Sequence, residues 1–390
     1  MNPRFLSLIL LVSGMSTAVH ATEPKRILLV TTTIGFRHSS IEIGEKVLRE
    51  LAAKSGEFLI VSTAEHPDYP NYGAGRGGRG GILVPGATAA QQAAISSYND
   101  AVAPAVQALA SARQALLEAA FADRASIPAR ATALGNAERN LALARADALA
   151  RMQGSPGRLT RDQSMILAGL MQPPTEAEQV RRVLATYLNP ETLRTFDGVY
   201  FNSTVGELPF PDIDDFFRWV AEGGAIMGNH AASDSMHQTP EYAAMLGGEF
   251  QRHGQQATGR MVNFDPDHPA MTGWGGTREV FDELYMFRPN YDRTKVHSLV
   301  SMVERPDDGL GVAGEPGWFP VAWTKMYGRG RVFYTSFGHR EDVWDPNWTD
   351  GNGQRRNSPE VAEAFQAHLL GGIRWALGLA DGSAEPQVKQ

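Results

Sequence analysis

The chain has 390 residues, of which 43% are hydrophobic and 20% are charged, and these fractions are typical of a soluble globular protein with a sizeable core. Its net charge of -7 argues against nucleic acid or an anionic membrane as a partner, because both favour clustered lysine and arginine. The absence of cysteine excludes disulfides, thiolate metal ligands and a cysteine nucleophile.

The amino terminus has the composition of a secretory signal peptide. Arg4 precedes a short apolar run, residues 5–12, and small residues then lead to a predicted cleavage site after Ala21. The run is too short to span a bilayer, and no later stretch of the sequence is long enough. We therefore exclude residues 1–21 from the fold and expect an exported, periplasmic protein.

A strand, a helix and a second strand open the predicted domain. Residues 25–33 and 58–63 are apolar, β-branched runs that predict strands, and residues 41–54 have apolar side chains at helical spacing. This order is typical of a doubly wound α/β sheet with helices on both faces.

The turn between the first strand and the helix contains Arg37 and His38. Ser39 or Ser40 is the predicted cap of the helix. Unpaired N–H groups at a helix amino terminus favour anionic or hydroxyl-rich ligands, which makes Arg37 and His38 candidate binding residues. The alternatives are that Arg37 binds a backbone carbonyl and that His38 supports the cap.

Residues 71–186 interrupt the α/β pattern. The glycine-rich segment 73–81 predicts a flexible linker rather than a phosphate-binding loop, because it lacks the lysine motif and does not join a strand to a helix. The following alanine-rich sequence repeats apolar residues every seven positions on both sides of Pro128, which predicts a close antiparallel helical hairpin. Further helices are predicted over 160–171 and 176–188. We interpret the region as an insertion, a lid or an arm that docks a protein partner or a second copy.

The sheet resumes beyond the insertion. An amphipathic helix at 211–222 precedes a short apolar run that predicts a buried central strand, and a final helix begins after Ser358. The predicted strands are residues 197–204, 225–227, 319–323 and 330–339. The discontinuous α/β domain would then comprise 22–70 and 187–380, followed by a disordered tail over 381–390.

Histidines and carboxylates follow several of these strands. In open α/β sheets, ligands lie at the carboxyl ends of the strands, so we expect these side chains to surround one pocket. The candidate catalytic residues are His230, Asp234, Glu283 and His339. The candidate substrate-binding residues are Arg37, His38, Asn229, His253, Asp282 and Tyr285.

Such a set suits two chemistries. One is general acid–base catalysis on a sugar, with a histidine that titrates near neutral pH beside a carboxylate. The other is a divalent metal, zinc or manganese, held by imidazoles and a carboxylate. A third reading gives each histidine a sugar hydroxyl to bind. The distances between the histidines distinguish the metal site from the other two alternatives, because imidazole nitrogens that share zinc must lie within about 3 to 4 Å of one another.

Aromatic residues near these motifs suit stacking on a sugar face or plain core packing: Tyr285, Phe287, Phe337 and Trp344. His268, between Asp267 and Pro269, is predicted to be a turn residue. The other histidines are assigned no role.

Together the motifs resemble the trehalose-utilisation, or ThuA-like, family. The resemblance covers roughly residues 25–70 and 187–378 and rests on five segments in the family's order: 33–41, 229–234, 267–269, 282–285 and 330–339. It implies a flavodoxin-like fold of the class I glutamine amidotransferase type, a mostly parallel sheet, here with a long helical insertion. In those amidotransferases the strand equivalent to 225–227 leads into a cysteine nucleophile, which this chain lacks.

The resemblance also implies a role in carbohydrate catabolism, with a disaccharide, glucoside or keto-sugar as substrate. The chain departs from the family in its helical insertion and in the glutamine and arginine that precede His253. The alternative function is a non-catalytic sugar-binding or scaffold protein that docks a partner through the insertion.

Overall fold

The computed structural model describes residues 23–65, 88–122, 124–153, 157 and 175–388. The predicted signal peptide, the glycine-rich linker and the predicted helix over 160–171 lie outside the described residues. No helix within these described ranges is long and apolar enough to cross a membrane.

A nine-stranded sheet forms the centre of the molecule, in the order β2-β1-β3-β4-β11-β10-β9-β6-β7, and β5 and β8 form a separate two-stranded sheet. The strands are β1 (Lys25–Val30), β2 (Phe58–Ala64), β3 (Gly198–Asn202), β4 (Ala225–Asn229), β5 (Phe250–His253), β6 (Ala257–Asn263), β7 (Thr277–Asp282), β8 (Tyr285–Phe287), β9 (His297–Glu304), β10 (Pro316–Tyr327) and β11 (Gly330–Thr335).

The sheet has two halves. From β2 to β11 the neighbouring strands are parallel, as the sequence predicted. From β11 onward each neighbour is antiparallel, through β10, β9, β6 and β7. The predicted α/β class, a flavodoxin-like mostly parallel sheet with a helical insertion, is confirmed, and the antiparallel strands β6, β7 and β9 extend it beyond the sequence prediction.

Helices cover both faces of the sheet. They are α1 (Ser40–Ser55), α2 (Ala89–Ala122), α3 (Ile127–Gln153), α4 (Thr175–Tyr187), α5 (Pro190–Leu193), α6 (Ile213–Ala221), α7 (Pro240–Leu246), α8 (Glu341–Trp344) and α9 (Pro359–Ala376). Alternate residues of β1 enter different cores: Ile27 and Leu29 pack with α1 and α9, whereas Leu28 and Val30 pack with α4 and α6. This alternation follows from the period-two geometry of a strand that is buried on both sides.

Helices α2 and α3 pack against each other along the predicted seven-residue repeat. Their buried seam includes Val102, Leu109, Leu116, Leu134, Leu141 and Ala148. The boundaries proposed for the insertion remain a prediction, since the linker is not described.

Two sequence predictions are corrected by the contacts. The tail was predicted to be disordered, but up to residue 388 it lies against β9, where the Gln387 side chain exchanges two hydrogen bonds with the backbone of Ser298. Ser39 precedes α1 without a side-chain cap. Its hydroxyl donates to Glu341, and the Ser40 hydroxyl donates to the Gly338 carbonyl at 2.7 Å, so both serines hold the segment that follows β11 instead.

Candidate functional site

His230 stands at the turn that follows the central strand β4. Its φ of 45° lies in the left-handed region that non-glycine residues seldom adopt, and its side chain is fully buried. The Tyr334 hydroxyl donates to its carbonyl at 2.7 Å. Its own Nδ1 lies 3.0 Å from the Ser336 carbonyl oxygen, which can only accept, so Nδ1 carries the proton and Nε2 presents a lone pair. Strain of this kind persists only where the surroundings enforce it, and it is concentrated at functional sites.

Three further candidate residues converge on the His230 lone pair. His38 Nε2 and His339 Nδ1 each lie 3.2 Å from His230 Nε2. The Glu283 carboxylate lies 3.5 Å from His230 Nε2 and 3.4 Å from His339 Nδ1. One ligand atom from each of the four residues lies within 4.8 Å of the other three.

This arrangement fits a divalent metal. Ligands about 2.05 Å from a tetrahedral ion are separated by about 3.3 Å, close to the two nitrogen separations at His230. Neutral imidazoles with one carboxylate suit zinc, manganese and iron. These nitrogens therefore lie within the 3 to 4 Å or so expected of imidazoles that share zinc.

The electrostatics of the cluster act in opposite directions on two of its imidazoles. Burial would lower the pKa of His339, but a hydrogen bond and charge from Glu283 outweigh it and raise that pKa. Burial lowers the pKa of His38 to about 2, and the neighbouring histidines contribute to the same effect. Burial alone would raise the pKa of Glu283, but the adjacent imidazoles of His230 and His339 hold it well below its usual range. The Tyr285 hydroxyl lies 3.0 Å from His230 Nε2, and burial raises the pKa of Tyr285 well above its ordinary value, so it stays a proton donor at neutral pH.

The loop that carries His339 is fixed by its neighbours. Asp282 is fully buried and accepts hydrogen bonds from the backbone N–H groups of Gly338 at 2.9 Å and Arg340 at 3.2 Å. Gly338 has a φ of 115°, and a Cβ there would lie 3.0 Å from the Asn229 side chain. Asp282 thereby ties the segment beside Glu283 to the loop that carries His339.

A buried arginine holds the opposite flank of Glu283. The Arg305 guanidinium donates to the carbonyls of Leu284 at 2.7 Å and Tyr285 at 3.3 Å, and it is paired with Asp308. Both charged side chains are almost completely buried. The pair therefore fixes the backbone between the carboxylate of Glu283 and the hydroxyl of Tyr285.

The mouth of the site is polar on one side. His253 is 44% exposed, and its Nδ1 lies 3.1 Å from Glu283. Nearby, His237 lies between two carboxylates, with its Nε2 2.8 Å from Asp234 and its Nδ1 2.6 Å from Glu249. Burial would lower the pKa of His237, but these two bonds raise it. No role was predicted for His237, although its spacing of three residues from Asp234 could have indicated the pair.

Three predicted substrate-binding residues face the protein instead. Arg37 has a side chain only 3% exposed; it donates to the Thr31 carbonyl and to Glu42, which is the carbonyl-binding alternative. Asn229 is fully buried and donates to Ser203 at 2.9 Å. The Asp282 carboxylate accepts hydrogen bonds from the backbone N–H groups of Gly338 and Arg340. These contacts correct the prediction that the three line a binding surface.

The aromatic candidates belong to the core. Tyr285, Phe337 and Trp344 are buried, and Phe287 is half-buried. An exposed aromatic ring near the site belongs to Phe36, for which no role was predicted from the sequence. His268 accepts a hydrogen bond from the Ala270 N–H at 3.1 Å, as a turn residue would.

One comparison with known protein families agrees with the motifs. The family model described as trehalose utilisation, ThuA, matches residues 175–376. Among solved structures, a ThuA-like protein from Parabacteroides merdae is 15% identical over 93% of each chain, with a TM-score of 0.47. A ThuA-like protein from Bacteroides uniformis is 18% identical, with a TM-score of 0.38 over 52% of this chain and 77% of that one. No match was found among curated proteins. Since the family model matches more than half of its residues, this chain belongs to the trehalose-utilisation (ThuA-like) family.

Proposed function

We propose that this protein is an exported enzyme of carbohydrate catabolism whose site holds a divalent metal, zinc or manganese, and acts on a disaccharide, glucoside or keto-sugar. The family gives the carbohydrate-related role. The observation that carries the enzymatic part is the convergence of His38, His230, His339 and Glu283 on one point beside a tyrosine hydroxyl.

Each residue has a distinct task in this proposal. The four ligands come from segments that follow different strands, and the Ser336 carbonyl fixes the tautomer of His230, which is how metal-binding histidines are usually oriented. A metal ion here would act as a Lewis acid toward a sugar oxygen or water. Tyr285, protonated at neutral pH, can donate a hydrogen bond to an oxygen at this point.

Proton transfer falls to the groups at the mouth. His253 touches Glu283 and is exposed enough to exchange protons with solvent. Burial raises the pKa of Asp234, although its bond to His237 opposes that shift. A carboxyl group with a raised pKa beside a sugar site is suited to act as a general acid or base.

His230→Asn tests the proposal. Asparagine tolerates left-handed backbone, so the turn should survive while the imidazole ligand is lost. Metal content after purification should fall, with affinity reduced at least about 100-fold. Turnover should be screened on trehalose, other glucosides and their 3-keto forms. His268→Asn is the matched control, because asparagine can replace the capping acceptor of that distant histidine.

Two results would contradict the proposal. Activity that survives extended chelation, or equal metal content in wild type and His230→Asn, would remove the metal. Clear saccharide binding without turnover on any substrate of the panel would favour the non-catalytic sugar-binding or scaffold function.

A further inference from the structure

The loop between β1 and α1 places its residues against their usual preferences. Phe36 is 63% exposed, whereas the neighbouring Arg37 side chain is only 3% exposed. Burial of a phenyl ring normally stabilises the folded protein, whereas burial of a guanidinium destabilises it unless hydrogen bonds compensate. The inversion therefore needs a structural cause.

That cause lies on both sides of Phe36. Gly35 has a φ of 94°, which turns the chain outward. Arg37 anchors the loop from within, through the Thr31 carbonyl and Glu42. The loop thus holds the phenyl ring in solvent. Four large apolar side chains are exposed in the described ranges, and that of Phe36 is the single aromatic one among them.

The ring borders the metal-ligand cluster. The ring centroids of Phe36 and His38 are 4.7 Å apart and the rings are nearly perpendicular, at 81°. His38 Nε2 is one of the four converging ligand atoms. Across the cluster, His253 contacts Glu283 and stacks on Phe250. The site therefore has a flat apolar surface at one edge and polar groups at the other.

We propose that Phe36 is the stacking platform of a pyranose-binding subsite, with one C–H face of the sugar ring on the phenyl ring and its oxygens directed toward His38, His230, Glu283 and His339. The inference rests on the proposed function, because it names the ring form of the substrate at that same site. A pyranose has an apolar face and polar edges, which match this combination of surfaces. An acyclic polyol offers the same hydroxyls but no ring face.

Phe36→Ala, Phe36→Leu and Phe36→Trp in the metal-loaded protein test this, with isothermal titration of trehalose, methyl α-glucoside and mannitol. Phe36→Ala should weaken both pyranosides about 3- to 10-fold, Phe36→Leu less, and Phe36→Trp should bind within about twofold of wild type. Mannitol binding and metal content should not change. Leu143→Ala is the matched control, since that side chain is 61% exposed on the helical hairpin.

Several results would overturn the subsite: pyranoside binding by Phe36→Ala equal to wild type, an equal loss for mannitol, loss of metal in Phe36→Ala, or no binding of either pyranoside by the wild type. The two proposals fail separately. Stacking-dependent trehalose binding in a protein without metal or turnover would support the subsite and contradict the enzyme. Metal-dependent turnover with an unchanged kcat/KM in Phe36→Ala would support the enzyme and contradict the subsite.

Discussion

Asp308→Ala should be among the most destabilising single substitutions near the site. Asp308 and Arg305 are almost completely buried, and Asp308 Oδ2 accepts from Arg305 Nε at 3.1 Å and Nη2 at 2.5 Å. Removing one member of a buried pair leaves an uncompensated charge, at a cost of about 3–5 kcal/mol. For a domain of this size, that corresponds to a fall in Tm of roughly 6–20 °C.

The same substitution should weaken metal binding. Arg305 also donates to the carbonyls of Leu284 and Tyr285, which follow Glu283 directly. An Arg305 side chain that has lost its partner can move, and Glu283 would move with it, so metal affinity should fall about 10- to 100-fold. Differential scanning calorimetry and metal titration measure the two effects.

A second variant separates charge from packing. Arg305→Met in the Asp308→Ala background removes the unpaired charge and should recover part of the lost stability, since apolar replacement of a whole buried pair is often close to neutral. Glu50→Ala is the control, because its pair with Lys46 is more than half exposed and worth less than about 1 kcal/mol. A loss below about 1 kcal/mol in Asp308→Ala, or purely additive losses in the double variant, would refute the reasoning.

Two further predictions concern the hairpin. Burial raises the pKa of Glu65 to about 7, against the opposing charge of Arg113, so the folded state binds a proton that the unfolded state does not between about pH 7 and 4.5. Glu65 should therefore make Tm rise as the pH falls through this range, and Glu65→Gln should flatten that rise; an unchanged pH profile would contradict this. Leu141→Ala, at 1% exposure, should cost the hairpin about 2–5 kcal/mol. Hydrogen exchange should accelerate over 89–153 while metal binding stays unchanged, and exchange no faster than in the exposed Leu143→Ala control would contradict it.

The parallel strands and the site histidines could be predicted because their signals are local. A continuous apolar run that ends in a polar residue marks both a buried strand and its ligand-binding end, which is why His230 and His339 were expected together. The antiparallel strands carry a weaker signal. In β6 the buried residues Ala257, Gly259 and Met261 alternate with exposed ones, and two of the three are small.

The directions in which side chains point could not be predicted from local sequence patterns. Arg37 was expected to face a ligand, but Glu42 and the Thr31 carbonyl bind it inside the loop. Phe36 then faces outward because Gly35 reverses the chain before it. Such outcomes depend on partners that are adjacent only after folding, so composition and periodicity do not reveal them.

The two halves of the sheet make different contributions to the site. The parallel half places His38, His230 and His339 in the segments that follow β1, β4 and β11. Glu283 instead follows β7 of the antiparallel half, and Tyr285 begins β8 of the separate two-stranded sheet. The parallel strands alone would give three imidazoles without a carboxylate or a hydroxyl donor. Because Asp282 bonds the backbone of the His339 loop, the two halves are locked together at the ligand cluster itself. The antiparallel extension is therefore part of the candidate chemistry, and the backbone contacts that join it to the parallel half set the distances between the ligands.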